Sequence, residues 1–171
     1  EIANTQSGNN NPYCQDNEIG WVTFSRRKLP RQLREYIKHL IAFRKSHTIL
    51  SSPLPMRMND YRHTGMPDLS YHGRQPWIMG IGEEKKALGI LYNAAYARNE
   101  DEEDVVVCLN FYYGEETFAL PKLREGRKWY LETNSAWEEW KPEKEPLKDQ
   151  GYCAVPGGTI TILVGKEAGK E

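Results

Sequence analysis

Hydrophobic and polar positions follow three different rhythms along this chain. Between residues 30 and 47, Leu33, Ile37, Leu40 and Ile41 recur at helical spacing with Arg44 one turn on, while Arg31, Arg34, Glu35, Lys38 and Lys45 fall on the other side. That spacing predicts one amphipathic α-helix. Pro30 suits the first turn, where its missing N–H costs nothing. Lys45 and His47 suit the negative end of the helix dipole. The run Ser51-Ser52-Pro53-Leu54-Pro55 stops the helix.

From Trp77 onward the period becomes two. Strands are predicted over 77–81, 87–97, 105–112, 117–120, 128–133, 153–155 and 159–165. Leu88, Ile90, Tyr92 and Ala94 share one face, as do Val105, Val107, Leu109 and Phe111, and later Ile160, Ile162 and Val164. Asn99 to Asp104 reads as an acidic, solvated hairpin tip. Gly114-Glu115-Glu116, Glu125-Gly126-Arg127 and Pro156-Gly157-Gly158 read as tight turns, and 137–150 as a longer charged loop. Strands at this spacing without intervening helices point to an antiparallel sandwich or barrel. Residues 56–76 read as loop.

Residues 1–29 show neither rhythm. Gly8, Pro12 and the Asn run preclude a long helix. Ile19-Gly20-Trp21-Val22-Thr23-Phe24 is apolar enough to tuck against a neighbour. A connection this long is usually functional or disordered, and Trp21 and Phe24 argue against disorder. A shift near residues 51–56 separates a loop-plus-helix part from an all-β part.

Composition narrows the function classes. In 171 residues the formal net charge is -1, so no global field attracts nucleic acid or an anionic membrane surface. The apolar runs are too short to span a bilayer. Cys14, Cys108 and Cys153 are odd in number and have no CxxC spacing, so they read as free thiols, with a Cys108–Cys153 bridge as the alternative, and lean towards a reducing, cytoplasmic compartment. The chain begins Glu1-Ile2-Ala3 rather than with Met, so the lack of a leader at this end says little about targeting.

Most candidate chemistry is ordinary structure. His39 and His47 are too far apart along the helix for a ligand pair, and neither they nor His63 and His72 complete a metal set, so no metal or cofactor is expected. Gly80-Ile81-Gly82 and Gly157-Gly158 run into neither the Lys-Ser/Thr pair nor the helix start of a phosphate loop, and read as turns. The acidic run Glu100-Asp101-Glu102-Glu103-Asp104 lacks the spaced ligands of a calcium loop. Cys14 has no marked basic partner. The aromatics Tyr112, Tyr113, Trp137 and Trp140 suit either sugar stacking or cover for a sheet edge. The stretch Thr5 to Glu18 combines tight-turning backbone with amides, a carboxylate and one aromatic face, a set suited to hydroxyls and flat apolar rings, as in a sugar.

Asn4 to Trp21 (NTQSGNNNPYCQDNEIGW) closely resembles a segment of glycogen-debranching enzymes of the isoamylase/pullulanase type, in the α-amylase superfamily of glycoside hydrolases. There the segment follows the eighth strand of a catalytic (β/α)8 barrel, and Glu1 resembles the last residue of that strand's Gly-Asp-Glu motif. Residues 30–47 resemble the eighth barrel helix. Met66-Pro67-Asp68-Leu69-Ser70-Tyr71-His72-Gly73, followed by Pro76-Trp77, resembles the family's approach to its C-terminal sandwich.

The resemblance implies a mainly β chain: residues 1–52 as the last loop and helix of an incomplete barrel, and 53–171 as an antiparallel β-sandwich. It implies an α-glucan of the glycogen or starch type as partner through the whole enzyme, together with the barrel itself, and contacts to glucose hydroxyls from Asn9, Asn10, Asn11, Gln15 and Asp16, with Tyr13 stacking or supporting. Retaining glycosidases need two carboxyl groups about 5–5.5 Å apart, borne in this family on earlier barrel strands that this chain does not contain. No catalytic residue is therefore assigned, and Glu1 and Asp16 are not candidates for the pair. The alternative is an independent α-glucan-binding module. Without barrel strands to cover it, the helix stripe is expected to drive self-association or to leave a mobile N-terminal segment.

Overall fold

In a computed structural model, residues 3–24, 27–79, 86–99 and 101–169 are described. The chain forms two compact units, Glu1–Phe43 and Arg44–Glu171. Helix α1 spans Lys28–Ser46, close to the predicted segment, with Arg44 and Lys45 in its last turn. Leu33, Ile37 and Leu40 are half-buried and Phe43 is buried, while Ile41 of the same stripe stays exposed.

The second unit is mainly β, as the alternation predicted. Its strands are β1 (Leu69–His72), β2 (Ala87–Tyr92), β3 (Asp104–Asn110), β4 (Glu116–Ala119), β5 (Arg127–Asn134), β6 (Tyr152–Val155) and β7 (Thr159–Glu167). Five form an antiparallel sheet in the order β1-β2-β3-β7-β5, and β4 pairs with β6 in a second sheet. One core joins the two sheets. Phe118, Cys153 and Val155 of the small sheet share it with Leu91, Val106, Cys108, Trp129 and Leu163 of the large one. On β3 the core shared by the two sheets takes Val106 and Cys108, while of the predicted set Val105 is fully buried and Val107 and Leu109 are half-buried. Both sets on β3 are apolar, so the pattern fixed the period and left the inward side open. The buried Trp129 indole N–H donates to the Pro121 carbonyl at 3.0 Å, so the ring is buried without an orphan donor.

Four expectations change. The strand expected over 87–97 stops at Tyr92, because Asn93 turns the chain. Its amide N–H donates to the Asp68 carbonyl, its side-chain oxygen accepts from the Ala95 N–H, and a 3-10 turn comes next at Ala94–Tyr96. For 77–81, residues 77–79 hold only an isolated bridge, Gln75 to Ile78, and 80 and 81 lie outside the described residues, as does the Gly80-Ile81-Gly82 turn. Strand β1 lies where loop was expected. Finally, the acidic run is not a solvated tip: Glu102 and Asp104 are buried. Glu102 accepts from the Ile49 N–H, and Asp104 accepts from the Ala94 N–H at 2.8 Å and from Arg127 at 3.3 Å. Glu100 lies outside the described residues. Burial pushes the Asp104 carboxyl up, and the Ala94 amide, Arg124 and Arg127 only partly offset it.

Strand β1 escapes sequence reading because two of its three buried positions are polar, Leu69 being the third. Ser70 and His72 are both buried. His72 Nδ1 accepts from the Trp77 N–H at 3.0 Å, so Nε2 carries the proton and donates to Ser70 Oγ at 2.7 Å. Burial depresses the imidazole to a pKa of about 4. The ring is thus neutral near pH 7, and its tautomer cannot take the serine's proton.

Two of the buried polar residues that shape this region, His72 and Asn93, are open to measurement. His72 has a folded pKa of about 4, below its unfolded value of about 6.5. The unfolded chain therefore binds the extra proton first, and stability present above pH 6.5 is lost as pH falls towards 4. In urea titrations from pH 8 to 4, His72→Asn, which keeps an acceptor for the Trp77 amide and does not titrate, is expected to flatten this slope. An equal slope in both proteins excludes His72 as its source. Asn93 is fully buried, and its Nδ2 reaches the Met66 and Pro67 carbonyls, each at 3.2 Å. Asn93→Ala is expected to cost about 1–3 kcal/mol by taking the donor from the Pro67 carbonyl and the acceptor from the Ala95 N–H, while Met66 keeps the Thr64 and Tyr96 hydroxyls. An unchanged urea midpoint would contradict that role.

Candidate functional site

The N-terminal unit builds its loop from three turns. Ser7 and Gly8 both have positive φ, and the Asn9 N–H closes on the Gln6 carbonyl at 3.0 Å, a mirror-image tight turn. The Gln15 N–H closes on the Pro12 carbonyl at 3.0 Å with Cys14 at φ 59, and the Gly20 N–H closes on the Asn17 carbonyl at 3.0 Å. Asparagine side chains take the amides between turns. Asn9 Oδ1 accepts from the Asn11 N–H at 2.9 Å, Asn11 Oδ1 from the Tyr13 N–H at 3.1 Å, and Asn17 Oδ1 from the Ile19 N–H at 3.0 Å. These are Asx turns, in which a short polar side chain replaces a backbone acceptor.

The six residues singled out from the sequence lie together here but in two conditions. Asn9, Asn11, Gln15 and Asp16 are committed to the loop. Asn9 Nδ2 donates to Gln15 Oε1 at 3.1 Å, Gln15 Nε2 approaches the Asn11 carbonyl at 3.5 Å, and Asp16 Oδ1 accepts from the Trp21 indole N–H at 2.8 Å. The Asn10 side chain and the Tyr13 ring are exposed, Tyr13 by 82%, and have no side-chain partner among the described residues.

The same unit contains an open cavity of about 670 Å³ lined by Asn4, Thr5, Ser7, Glu18, Trp21 and Arg27, with Ala3, Ile19 and Thr23. That volume lies in the range of small-ligand sites. None of the six singled-out residues lines it; Asp16 touches it only through Trp21. Sequence reading passed over Glu18, Trp21 and Arg27 as ligand groups. The available signal was an indole flanked at a few residues' distance by one acid and one base. With hydroxyl and amide side chains around it, the wall offers donors, acceptors and an aromatic face, the set that recognises a polyol ring.

Other candidates fall away on geometry. Among the described residues no group of three or more His, Cys, Asp or Glu is placed to share a metal ion. No helix among them is long and apolar enough to cross a membrane. All three thiols are free, Cys14 exposed and Cys108 and Cys153 buried, and burial pushes the Cys153 thiol up to about 11. The aromatic set on the sandwich divides. Trp137 and Trp140 are half-buried, and the Trp140 indole N–H donates to Glu132 at 2.9 Å, whereas Tyr113 is 88% exposed.

No protein-family model matches the chain. Individual relatives do. An isoamylase of Flavobacterium sp is 30% identical over 169 residues, 95% of this chain and 21% of that protein. An isoamylase of Pseudomonas amyloderamosa is 28% identical over 170 residues, 94% of this chain and 20% of its own length. A glycogen operon protein GlgX homolog of Mycobacterium tuberculosis is 39% identical over 152 residues, 78% of this chain and 20% of that protein. The chain thus spans about a fifth of the length of the curated relatives it matches. Over most of its length it is homologous to that fifth of the isoamylases and GlgX-type glycogen-debranching proteins, and it corresponds to one part of such an enzyme.

Proposed function

We propose that this chain is the C-terminal part of an α-1,6-glucan debranching glycoside hydrolase acting on glycogen- or starch-type polysaccharide. Residues 1–52 supply the loop after the last barrel strand and the last barrel helix, and residues 53–171 the sandwich that caps and stabilises the barrel. The observation that carries the reading is the match to isoamylase over 95% of this chain, which spans loop, helix and sandwich together rather than a sandwich alone. The individually exposed Val22, Phe24, Leu29 and Ile41 support it, because large apolar side chains left in solvent suit cover by barrel strands or by a second copy of the chain.

In this reading the loop is a preformed wall of the glucan cleft. Asn10 and Tyr13 reach the sugar, one with an amide and one with a ring face. Asn9, Asn11, Gln15 and Asp16 set the loop's shape and offer their remaining donors and lone pairs. Glu18, Trp21 and Arg27 form a recess that receives one glucose unit of the branched chain. The acid and the nucleophile come from barrel strands, so the loop orients substrate and moves no proton.

Two measurements test this. Purified alone, the chain is expected to release no reducing ends from pullulan or glycogen. Hydrolysis by the chain alone sinks the proposal. In the enzyme that carries this chain, Tyr13→Ala and Trp21→Ala are each expected to lower kcat/KM on a branched limit dextrin by roughly tenfold, equivalent to about 1.4 kcal/mol of transition-state binding. Asp16→Ala, which frees the Trp21 indole, is expected to act in the same direction. Wild-type kinetics in all three variants would remove the loop from the cleft.

A further inference from the structure

The sandwich carries one aromatic feature that its core does not use. Tyr112 and Tyr113, just after β3, place their ring centroids 4.0 Å apart, and their hydroxyl oxygens are 2.6 Å apart. Tyr113 is 88% exposed. Tyr112 is half-buried, and on a loose loop consecutive tyrosines would swing apart. Here the backbone beneath them is fixed.

Asn110, fully buried, holds it. Its Nδ2 donates to the Gly114 and Val155 carbonyls at 2.9 Å each, and its Oδ1 accepts from the Tyr112 N–H at 3.0 Å. The Gly158 N–H donates to the Tyr112 carbonyl at 2.8 Å. A Cβ at Gly157 would stand 2.2 Å from the Tyr113 carbonyl oxygen, so the two loops meet backbone to backbone and only glycine fits. The tyrosines therefore sit on a braced ledge between two loops.

The ledge has a definite chemistry. One hydroxyl–hydroxyl bond leaves one O–H and free lone pairs at the tip, whichever tyrosine donates. The outer ring face is apolar. The charges nearest in sequence are acidic: Glu115 is exposed, and Glu116 is held by Arg74 at 3.0 Å. Arg74 offsets Glu116 and Glu115 remains, so these neighbours carry no excess of positive charge to draw phosphates or other polyanions. A neutral ligand with a flat apolar face and a hydroxyl rim remains, which describes a pyranose.

We propose that the Tyr112–Tyr113 pair is a docking platform on the sandwich for α-1,4-linked glucose chains, separate from the N-terminal loop. That the sugar is an α-glucan rests on the reading of the chain as part of a debranching enzyme; the geometry itself asks for a neutral sugar. The platform holds a branch of the polysaccharide at the surface and raises the local concentration of the remaining branches.

The test is affinity electrophoresis of the 171-residue chain in glycogen gels, with maltoheptaose titrations monitored through the tyrosine ring resonances. The chain is expected to be retarded by glycogen and to bind maltoheptaose more tightly than cellohexaose. Tyr113→Ala should weaken binding by about tenfold or more and leave the thermal midpoint unchanged, since the ring is exposed. Tyr113→Phe, which keeps the stack, should retain most of the binding. Three results overturn the platform: no retardation of the wild-type chain, retardation that survives Tyr113→Ala and Tyr112→Ala, or loss of retardation in Tyr13→Ala instead. Equal binding of cellohexaose overturns the α-glucan assignment. None of these bears on the limit-dextrin kinetics, so the platform and the debranching reading fail separately.

Discussion

A backbone N–H that leaves a helix or strand must find an acceptor, and in this protein it repeatedly finds the side-chain oxygen of an Asn or Asp. In the sandwich Asp68 accepts from the amides of Arg57, Met58 and Leu69, and Asp60 from those of Thr64 and Gly65. Asn93, Asn110 and Asp104 do the same from fully buried positions. In the N-terminal unit Asn9, Asn11 and Asn17 repeat the device at the surface. A buried amide without an acceptor costs about 1–3 kcal/mol, so each of these side chains decides the path of its loop. The hydrophobic core holds the sheets face to face; the short polar side chains hold what lies between them.

The same chemistry explains where electrostatics enter. Asp60 sits at a pKa of about 2, first because the Tyr96 hydroxyl donates to it and then because the Thr64 and Gly65 amides do. Asp104 goes the other way. Its burial outweighs its partners, although Arg127 stands 3.3 Å away and Arg124 3.9 Å. A carboxylate that collects amide donors stays ionised, and one sealed among strands resists ionisation even beside guanidinium groups. Neither case is a catalytic arrangement, since each acid is occupied with the backbone it organises.

What was legible in the sequence divides along this line. Helix α1 and strands β3 to β7 emerged from apolar periodicity, because their burial is hydrophobic and repeats with the period of the element. Strand β1 and the end of β2 did not, because the deciding residues are Ser70, His72 and Asn93, polar groups whose burial depends on partners distant in the chain. The acidic run misled for the same reason: charge suggests solvent until Arg127 and the Ile49 and Ala94 amides are found around it. At the site, residue types and turn chemistry placed the loop. They did not separate the side chains that build it from those that face outward, which only hydrogen-bond partners reveal. Glu18, Trp21 and Arg27 were hidden because each is unremarkable alone, and the recess exists only once three turns bring them together.

That separation bears on how such a loop works. A ligand that must order a floppy segment loses binding energy to conformational entropy, about 1–2 kcal/mol for each backbone residue fixed. In this loop three turns and three Asx bonds have already fixed the path between Gln6 and Trp21. The polar side chains that look most suited to sugar are largely consumed in doing so. In the proposed role fewer groups would meet a sugar, but those few are already held in place, and pre-organisation of this kind raises affinity without adding contacts. The Tyr112–Tyr113 ledge obeys the same rule: one buried asparagine, Asn110, and one obligatory glycine, Gly157, fix the backbone beneath one half-buried and one exposed ring that pack against each other. Asn11 and Asn110 thus set the geometry at both places, and a substitution at either acts first on the shape of its loop.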